Sequence, residues 1–304
     1  MDYKALAEQL VRTCAKKGAD AAEVYLETGR RLSIEVRNGE IETIEEAASQ
    51  GVGFRVFVKG RMAFSSCNDL REASLEVAIG RAIEFAQRTT ADPNNVLPAD
   101  MGITAVDGLY DPAIAKATMD RKIEMARAVE KLGMKDPRIS KSAGASYGES
   151  DGEIFIANSN GLSKSYKSSA CSLGVSLVVE KGEQKTTGGE SCTRRFFADL
   201  KSPAEIAERA IVRATEMLDP RPVKTQRAAV IFAPEVGRSI LGGILAATNG
   251  ETVLQGASFL GGRLKEKIAS DLVTLIDDGT RARGLGSKPF DLSLIHISEP
   301  TRQA

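Results

Sequence analysis

An α+β fold built from two helix-flanked antiparallel meander units is what this sequence predicts, and three observations carry the prediction. Runs of strict period-two alternation are separated by tight-turn dipeptides. Each set of strands is bracketed by segments of helical periodicity. The turn dipeptides recur at one fixed interval. A chain of 304 residues, 42% apolar and 27% charged, is long enough for two or more ordinary globular domains.

The first unit spans residues 1–91. From Ala5 to Lys17 the apolar residues Leu6, Leu10, Val11 and Cys14 recur at helical spacing, and Gly18 supplies a stop. Ala22 to Thr28 reads as a strand. Leu32, Ile34 and Val36 then alternate with Ser33, Glu35 and Arg37 as a second one. Asn38-Gly39, the pair that most readily takes two consecutive positive φ angles, turns the chain into Ile41 to Ile44. Gly51 to Val58 adds a strand with Val52, Phe54, Val56 and Val58 on one face, and Lys59-Gly60 turns it toward Met62 and Phe64. Asp69 is placed to cap a long helix whose buried face draws on Leu75, Val77, Ala78, Ala82, Ile83 and Phe85.

Residues 92–112, rich in Pro, Asp and Asn, read as a linker. The second unit, residues 113–218, repeats the layout. A helix from Arg121 to Leu132 stops at Gly133, and strands follow near Ile139 to Tyr147 and Glu153 to Ala157. Asn160-Gly161 then turns, Ser165 to Val179 is extended, Lys181-Gly182 turns again, and Ala204 to Leu218 is an amphipathic helix. Asn38-Gly39 to Asn160-Gly161 is a shift of 122 residues, as is Lys59-Gly60 to Lys181-Gly182. Equal shifts at two turns point to a repeated unit. Asp219-Pro220-Arg221-Pro222 marks the second linker.

Lys and Arg total 41, as do Asp and Glu, so no overall field draws in nucleic acid or an anionic membrane. No apolar run approaches the roughly 20 residues that span a bilayer. Met1 to Gly18 is charged and amphipathic rather than signal-like, and the chain reads as cytoplasmic. Cys14, Cys67, Cys171 and Cys192 show no CxxC spacing and read as small buried hydrophobes. Gly188-Gly189 and Gly242-Gly243 lack the context of a phosphate loop, and Lys164 to Lys167 reads as a solvated strand face. The lone histidine is His296, so a general base elsewhere has to be a carboxylate, a lysine or a tyrosine.

Several weak motifs, in order, resemble one family. Arg37-Asn38-Gly39-Glu40-Ile41-Glu42, then Gly51-Val52-Gly53-Phe54-Arg55-Val56, then Gly60 to Ser66 and Asn68-Asp69-Leu70, resemble the opening domain of the TldD/PmbA family. Gly18 to Tyr25 looks like the entry to that domain. Ala228 to Pro234 and Val273 to Gly279 resemble strands of its third domain. The resemblance implies a β-rich third domain beginning within residues 219–291. It also implies a cytosolic two-subunit metalloprotease in which a TldD-type subunit carries zinc on an HExxxH helix and the PmbA (TldE) subunit lacks it.

Laying that helix over Gly237 to Asn249 puts Gly242 at the first His, Gly243 at the Glu and Ala247 at the second His. Neither glycine nor alanine can ligate a cation or take a proton from bound water. The resemblance therefore implies a PmbA/TldE-like, non-catalytic subunit with no metal or cofactor of its own. Its expected partners are a TldD-like catalytic subunit and extended or unfolded peptides, and it is expected to bind neither nucleic acid nor membrane. A non-proteolytic peptide-binding or regulatory protein on the same fold is the alternative. Residues 292–304, from Leu292 to Ala304, change character and resemble translated adapter read-through, which makes a third domain cut short the expectation and leaves His296 without a role.

Overall fold

The computed structural model describes residues 1–97 and 105–290; the tail with His296 lies outside them. Helix α1 (Tyr3–Lys16) leads into β1 (Ala21–Arg37), β2 (Glu40–Val58) and β3 (Arg61–Cys67), closed by α2 (Glu72–Arg88). After α3 (Pro112–Lys116) the pattern repeats as α4 (Met119–Gly133), β4 (Lys141–Asn158), β5 (Ser163–Lys181), β6 (Gln184–Arg194) and α5 (Pro203–Thr215). The α+β class holds. The two meanders are joined through β1 and β4 into one antiparallel sheet, ordered β3-β2-β1-β4-β5-β6.

The register at that junction carries the repeat. Glu23 pairs with Asn158 and Val36 with Ala145, and a shift of 122 carries 23 to 145 and 36 to 158. The ladder therefore maps onto itself about a pseudo-twofold axis near Gly29↔Gly152 and Arg30↔Asp151. The two strands expected at Ala22 to Thr28 and Leu32 to Val36 are one, since β1 pairs with β2 and with β4 on both sides of Gly29 and through it.

Helices cover one face of the sheet. On β1, Ala22, Val24 and Leu26 enter a core under α1 and α2 with Phe54, Val56, Leu75 and Ile79. Leu32, Ile34 and Val36 enter a second core under α4 and α5 with Tyr147, Leu173, Leu177 and Ile206. Side chains two apart share a face, so both cores lie on the same side. Capping follows the chemistry of the helix starts. Asp2 accepts from Ala5 N–H, Thr118 from Arg121 N–H, and Ser202 with Glu205 forms a reciprocal capping box.

Three local expectations change. Arg71, not Asp69, is the N-cap of α2; Asp69 instead accepts from Arg71 and Ser74 in the preceding turn. Val77 and Phe85 are more than half exposed, while Ile79 and Ala86 are buried, because the apolar stripe of α2 lies against β2 and β3. The second-unit turns also differ. Asn38 and Gly39 both have positive φ, as do Lys59 and Gly60, whereas only Gly161 and Gly182 do in the second unit. There the Asn158 carboxamide accepts from Asn160 and Leu162 N–H in a wider loop, and Lys181 pairs with Gln184 across Gly182-Glu183.

Residues 220–278 form a unit of their own, while 279–290 belong with the sheet. The separate unit contains α6 (Pro234–Ala247) and α7 (Gly250–Leu254) and, among the described residues, no strand. The strands expected at Ala228 to Pro234 and Val273 to Gly279 are not formed. Strand backbone needs a ladder partner, and none among the described residues pairs with these segments; Ile231 stands almost fully exposed and Ile276 about three-quarters exposed.

Candidate functional site

Gly242 and Gly243 lie mid-helix on α6 and Ala247 closes it. Glycine costs about 1 kcal/mol relative to alanine in a helix interior, yet α6 runs through both. A β-carbon at either position would meet nothing within 4 Å. Ala247 is buried, while Leu241 and Leu245 are exposed. The three positions present a methyl group and two bare backbone units. They do not fit a zinc ion, whose protein ligands are imidazole, thiolate or carboxylate. No group of three or more His, Cys, Asp or Glu that could hold a metal occurs among the described residues.

A buried set of acid-base side chains is held in mutual contact. On the helix side, Lys122 and Glu149 are both almost fully buried, with Nζ 2.7 Å from Oε2. Tyr147 Oη donates to the same carboxylate at 2.8 Å, and Arg30 reaches it at 3.0 Å. Burial, then the Glu149 carboxylate, raises the Tyr147 pKa, and burial raises those of Tyr25 and Tyr166. None of these three phenols is poised as a base. Burial also pushes the Cys14 and Cys171 thiols up to about 12, in keeping with inert core residues; all four cysteines are free.

The other face of the sheet is largely uncovered by helices. Near one end Arg55 Nη2 donates to Glu23 Oε1 at 2.6 Å, with Glu23 Oε2 and Arg55 Nε left without partners among the described residues. Burial, partly offset by Arg55, raises the Glu23 pKa. A trough of about 630 Å³ alongside is lined by Tyr25, Glu27, Gly51, Gly53 and Cys67. Toward the other half, Arg195 is a clamp. Its guanidinium donates to the carbonyls of Gly284, Leu285, Ser287, Leu109 and Ser169. Residues 281–287 are thereby tied to the sheet, and Phe290 stacks edge-on against Tyr166 at 5.1 Å. Sequence reading missed Arg195, since one arginine at a strand's end gives no local signal of five distant carbonyls.

Two of the sheet's edges differ in cover. β3 pairs with β2 only over Val52–Val58, so among the described residues no strand lies beside the outer side of β2 from Glu40 to Gly51. Residues 40–50 are all exposed. The corresponding part of β5, from Ser163 to Ala170, lies beyond the reach of β6 but is crossed by the chain itself. Ser169 N–H donates to Leu109 C=O and Asp111 N–H to Ser169 Oγ.

Comparison with known proteins follows this architecture. Family models described as PmbA/TldA metallopeptidase domain 1, central domain and C-terminal domain match residues 22–86, 112–218 and 225–293. The chain is 28% identical over 278 residues to Metalloprotease PmbA of Escherichia coli O157:H7, covering 90% of this chain and 61% of the relative. It is 29% identical over 282 residues to the PmbA homolog of Haemophilus influenzae, covering 91% and 62%. The chain thus spans about three fifths of the length of these curated relatives. Among solved structures, a protein of Bacteroides thetaiotaomicron described as a candidate modulator of DNA gyrase aligns with TM-score 0.88 at 29% identity, covering 96% of this chain and 68% of that one. TldE of Thermococcus kodakarensis shares the fold, with TM-score 0.80 at 24% identity over 97% and 66% of the two chains. With all three domain models matched in order and the fold shared, the chain belongs to the PmbA/TldD family.

Proposed function

We propose that this chain is a PmbA/TldE-type subunit that works with a zinc-bearing TldD-type partner on extended or unfolded peptides and carries out no zinc chemistry itself. The reading rests on laying the HExxxH helix over α6, which puts Gly242, Gly243 and Ala247 where its first His, its Glu and its second His would stand, and these three residues offer no ligand and no base. The family contains both kinds of relative, since the chain also matches a TldD homolog of Haemophilus influenzae at 22% identity. No helix among the described residues is long and apolar enough to cross a membrane, which accords with a role on peptides in the cytoplasm.

In this division of labour the partner supplies the Lewis acid, and this subunit contributes surface that shapes the peptide path. The sheet suits that work, because an unpaired strand edge can hold a peptide through its backbone regardless of sequence. The deciding experiment measures peptide cleavage by this chain alone, by a TldD-type subunit alone and by the two together, with metal analysis of each preparation. Cleavage that needs both, with zinc only in the partner, is the expected result. Zinc retained in stoichiometric amount by this chain, with chelator-sensitive turnover in the partner's absence, overturns the assignment.

A further inference from the structure

The pseudo-twofold axis makes the outer sides of β2 and β5 equivalent positions, and the molecule treats them differently. The β5 edge is blocked where Leu109 C=O takes the Ser169 N–H, with Leu109 itself buried. Among the described residues the β2 edge has no such cover. No backbone hydrogen bond outside the β1 ladder joins residues 40–51 to another described residue. A long, bare edge is a liability that folded proteins ordinarily blunt with lysine, proline or short strand length. Here the segment from Glu40 to Gly51 contains no lysine, arginine or proline.

What it carries is negative charge and apolar surface. Glu40, Glu42, Glu45 and Glu46 lie within it, and Ile41 and Ile44 are each about two fifths exposed. Arg37 neutralises Glu42 and Arg30 neutralises Glu46. Glu40 and Glu45 have no ion pair among the described residues. The equivalent stretch of β5 has the opposite sign, with Lys164 and Lys167 and no acid.

We propose that the outer edge of β2 from Glu40 to Gly51 is a strand-addition site, and that the strand it takes is an extended peptide segment carrying lysine or arginine at alternate positions. The backbone ladder supplies the hold and the two unneutralised glutamates supply the preference. This inference rests on the peptide-holding part of the function proposed above and assigns that part to one edge.

The test uses the full chain and a synthetic peptide of alternating lysine and valine, about ten residues long so that it spans the edge at about 3.3 Å per residue. Three further probes accompany it: the glutamate–valine analogue, the lysine–valine peptide N-methylated on alternate amides, and the Glu40→Lys/Glu45→Lys variant, whose changes fall on exposed positions. The lysine–valine peptide is expected to bind. N-methylation is expected to weaken it about tenfold or more, since several ladder hydrogen bonds are lost. The double variant is expected to weaken it about three- to tenfold and to favour the glutamate–valine peptide instead.

Indifference to both N-methylation and charge reversal overturns the proposal. So does sedimentation that shows the edge occupied by a second copy of the chain. Cleavage in the presence of a TldD-type subunit, measured on the same variant, separates this inference from the broader one. Full cleavage without strand binding sinks the edge assignment and leaves the subunit assignment standing.

Discussion

The two halves of the sheet share a layout and differ in what they bury. Under α1 and α2 the core is apolar throughout. Under α4 and α5 the same layout encloses Lys122, Glu149 and Glu130. The repeat survives in backbone register and in one reciprocal contact. Glu130 of α4 accepts from Asn38 and Gly39 N–H at 3.0 and 2.7 Å. Its counterpart 122 residues earlier, Glu8 of α1, accepts from Ser163 Oγ at 2.6 Å. Each half thus uses an equivalent glutamate to hold the first hairpin of the other. The comparison teaches that the arrangement of strands is preserved while each interior is satisfied separately, by apolar packing alone in one half and by apolar packing with paired charge in the other.

The largest expected effect tests the charged interior. Glu149→Ala leaves Lys122 buried without its carboxylate and should lower stability by about 3–5 kcal/mol, read as a drop in denaturation midpoint. Replacing both, as Lys122→Met with Glu149→Leu, should recover most of that loss. If the double variant is no better than the single one, the pair is not an independent unit.

Next is the tight seat of α5. A β-carbon on Gly188 would lie 2.1 Å from Ala214 N, so Gly188→Ala must push the helix off β6, costing about 1–3 kcal/mol or more. Amide exchange should show the loss in the second half first. The glycines within the first half's own strands have more room: the nearest atom to a β-carbon on Gly29, Gly51 or Gly53 is at 3.3, 3.9 or 3.5 Å.

A smaller asymmetry separates the reciprocal glutamates. Glu130 is buried and satisfies two backbone donors, so Glu130→Ala should cost about 1.5–3 kcal/mol. Glu8 is half-buried with a single hydroxyl donor, and Glu8→Ala should cost under about 1 kcal/mol. Equal losses would contradict the burial difference.

The smallest effect is a pH limb. The guanidinium and backbone N–H of Arg138 hold the Asp136 carboxyl down at about 2. A depressed acid contributes stability above its unfolded value, near 3.8, and loses it as pH falls through the folded value. Asp136→Asn should flatten that part of the acid limb. Glu23 has the opposite sign. Its raised pKa means that folding is favoured at low pH and that this contribution falls away as pH rises from the ordinary glutamate range through the raised value.

Much of the sheet was legible because its signals are local. Asn38-Gly39 and Lys59-Gly60 adopt the paired positive φ that their chemistry favours, and Val52, Phe54, Val56 and Val58 are buried as their alternation requires. The shift of 122 was visible in the turns, and Glu8 with Glu130 obeys it too, a signal that an aligned reading of the two helices would have found. The offset of Gly182-Glu183 from Lys59-Gly60 was not visible, because it depends on strand pairing.

At the candidate site, residue identity excludes zinc ligation by Gly242, Gly243 and Ala247 without any coordinates. Their open surroundings on α6 needed the helix itself. Arg195 became legible only when Leu109, Ser169 and three carbonyls from residues 284–287 came together around it.

By itself the sequence determined the period of each element, the positions of the turns and the chemistry absent from α6, since these depend on side-chain type and near neighbours. The tertiary structure alone decided that two meanders make one sheet, which charges share the interior and which edge stays bare. Those outcomes arise from pairing between residues far apart in the chain, 27 positions for Lys122 with Glu149 and more than a hundred along the β1–β4 ladder, where backbone groups and buried charges find partners that local pattern does not specify.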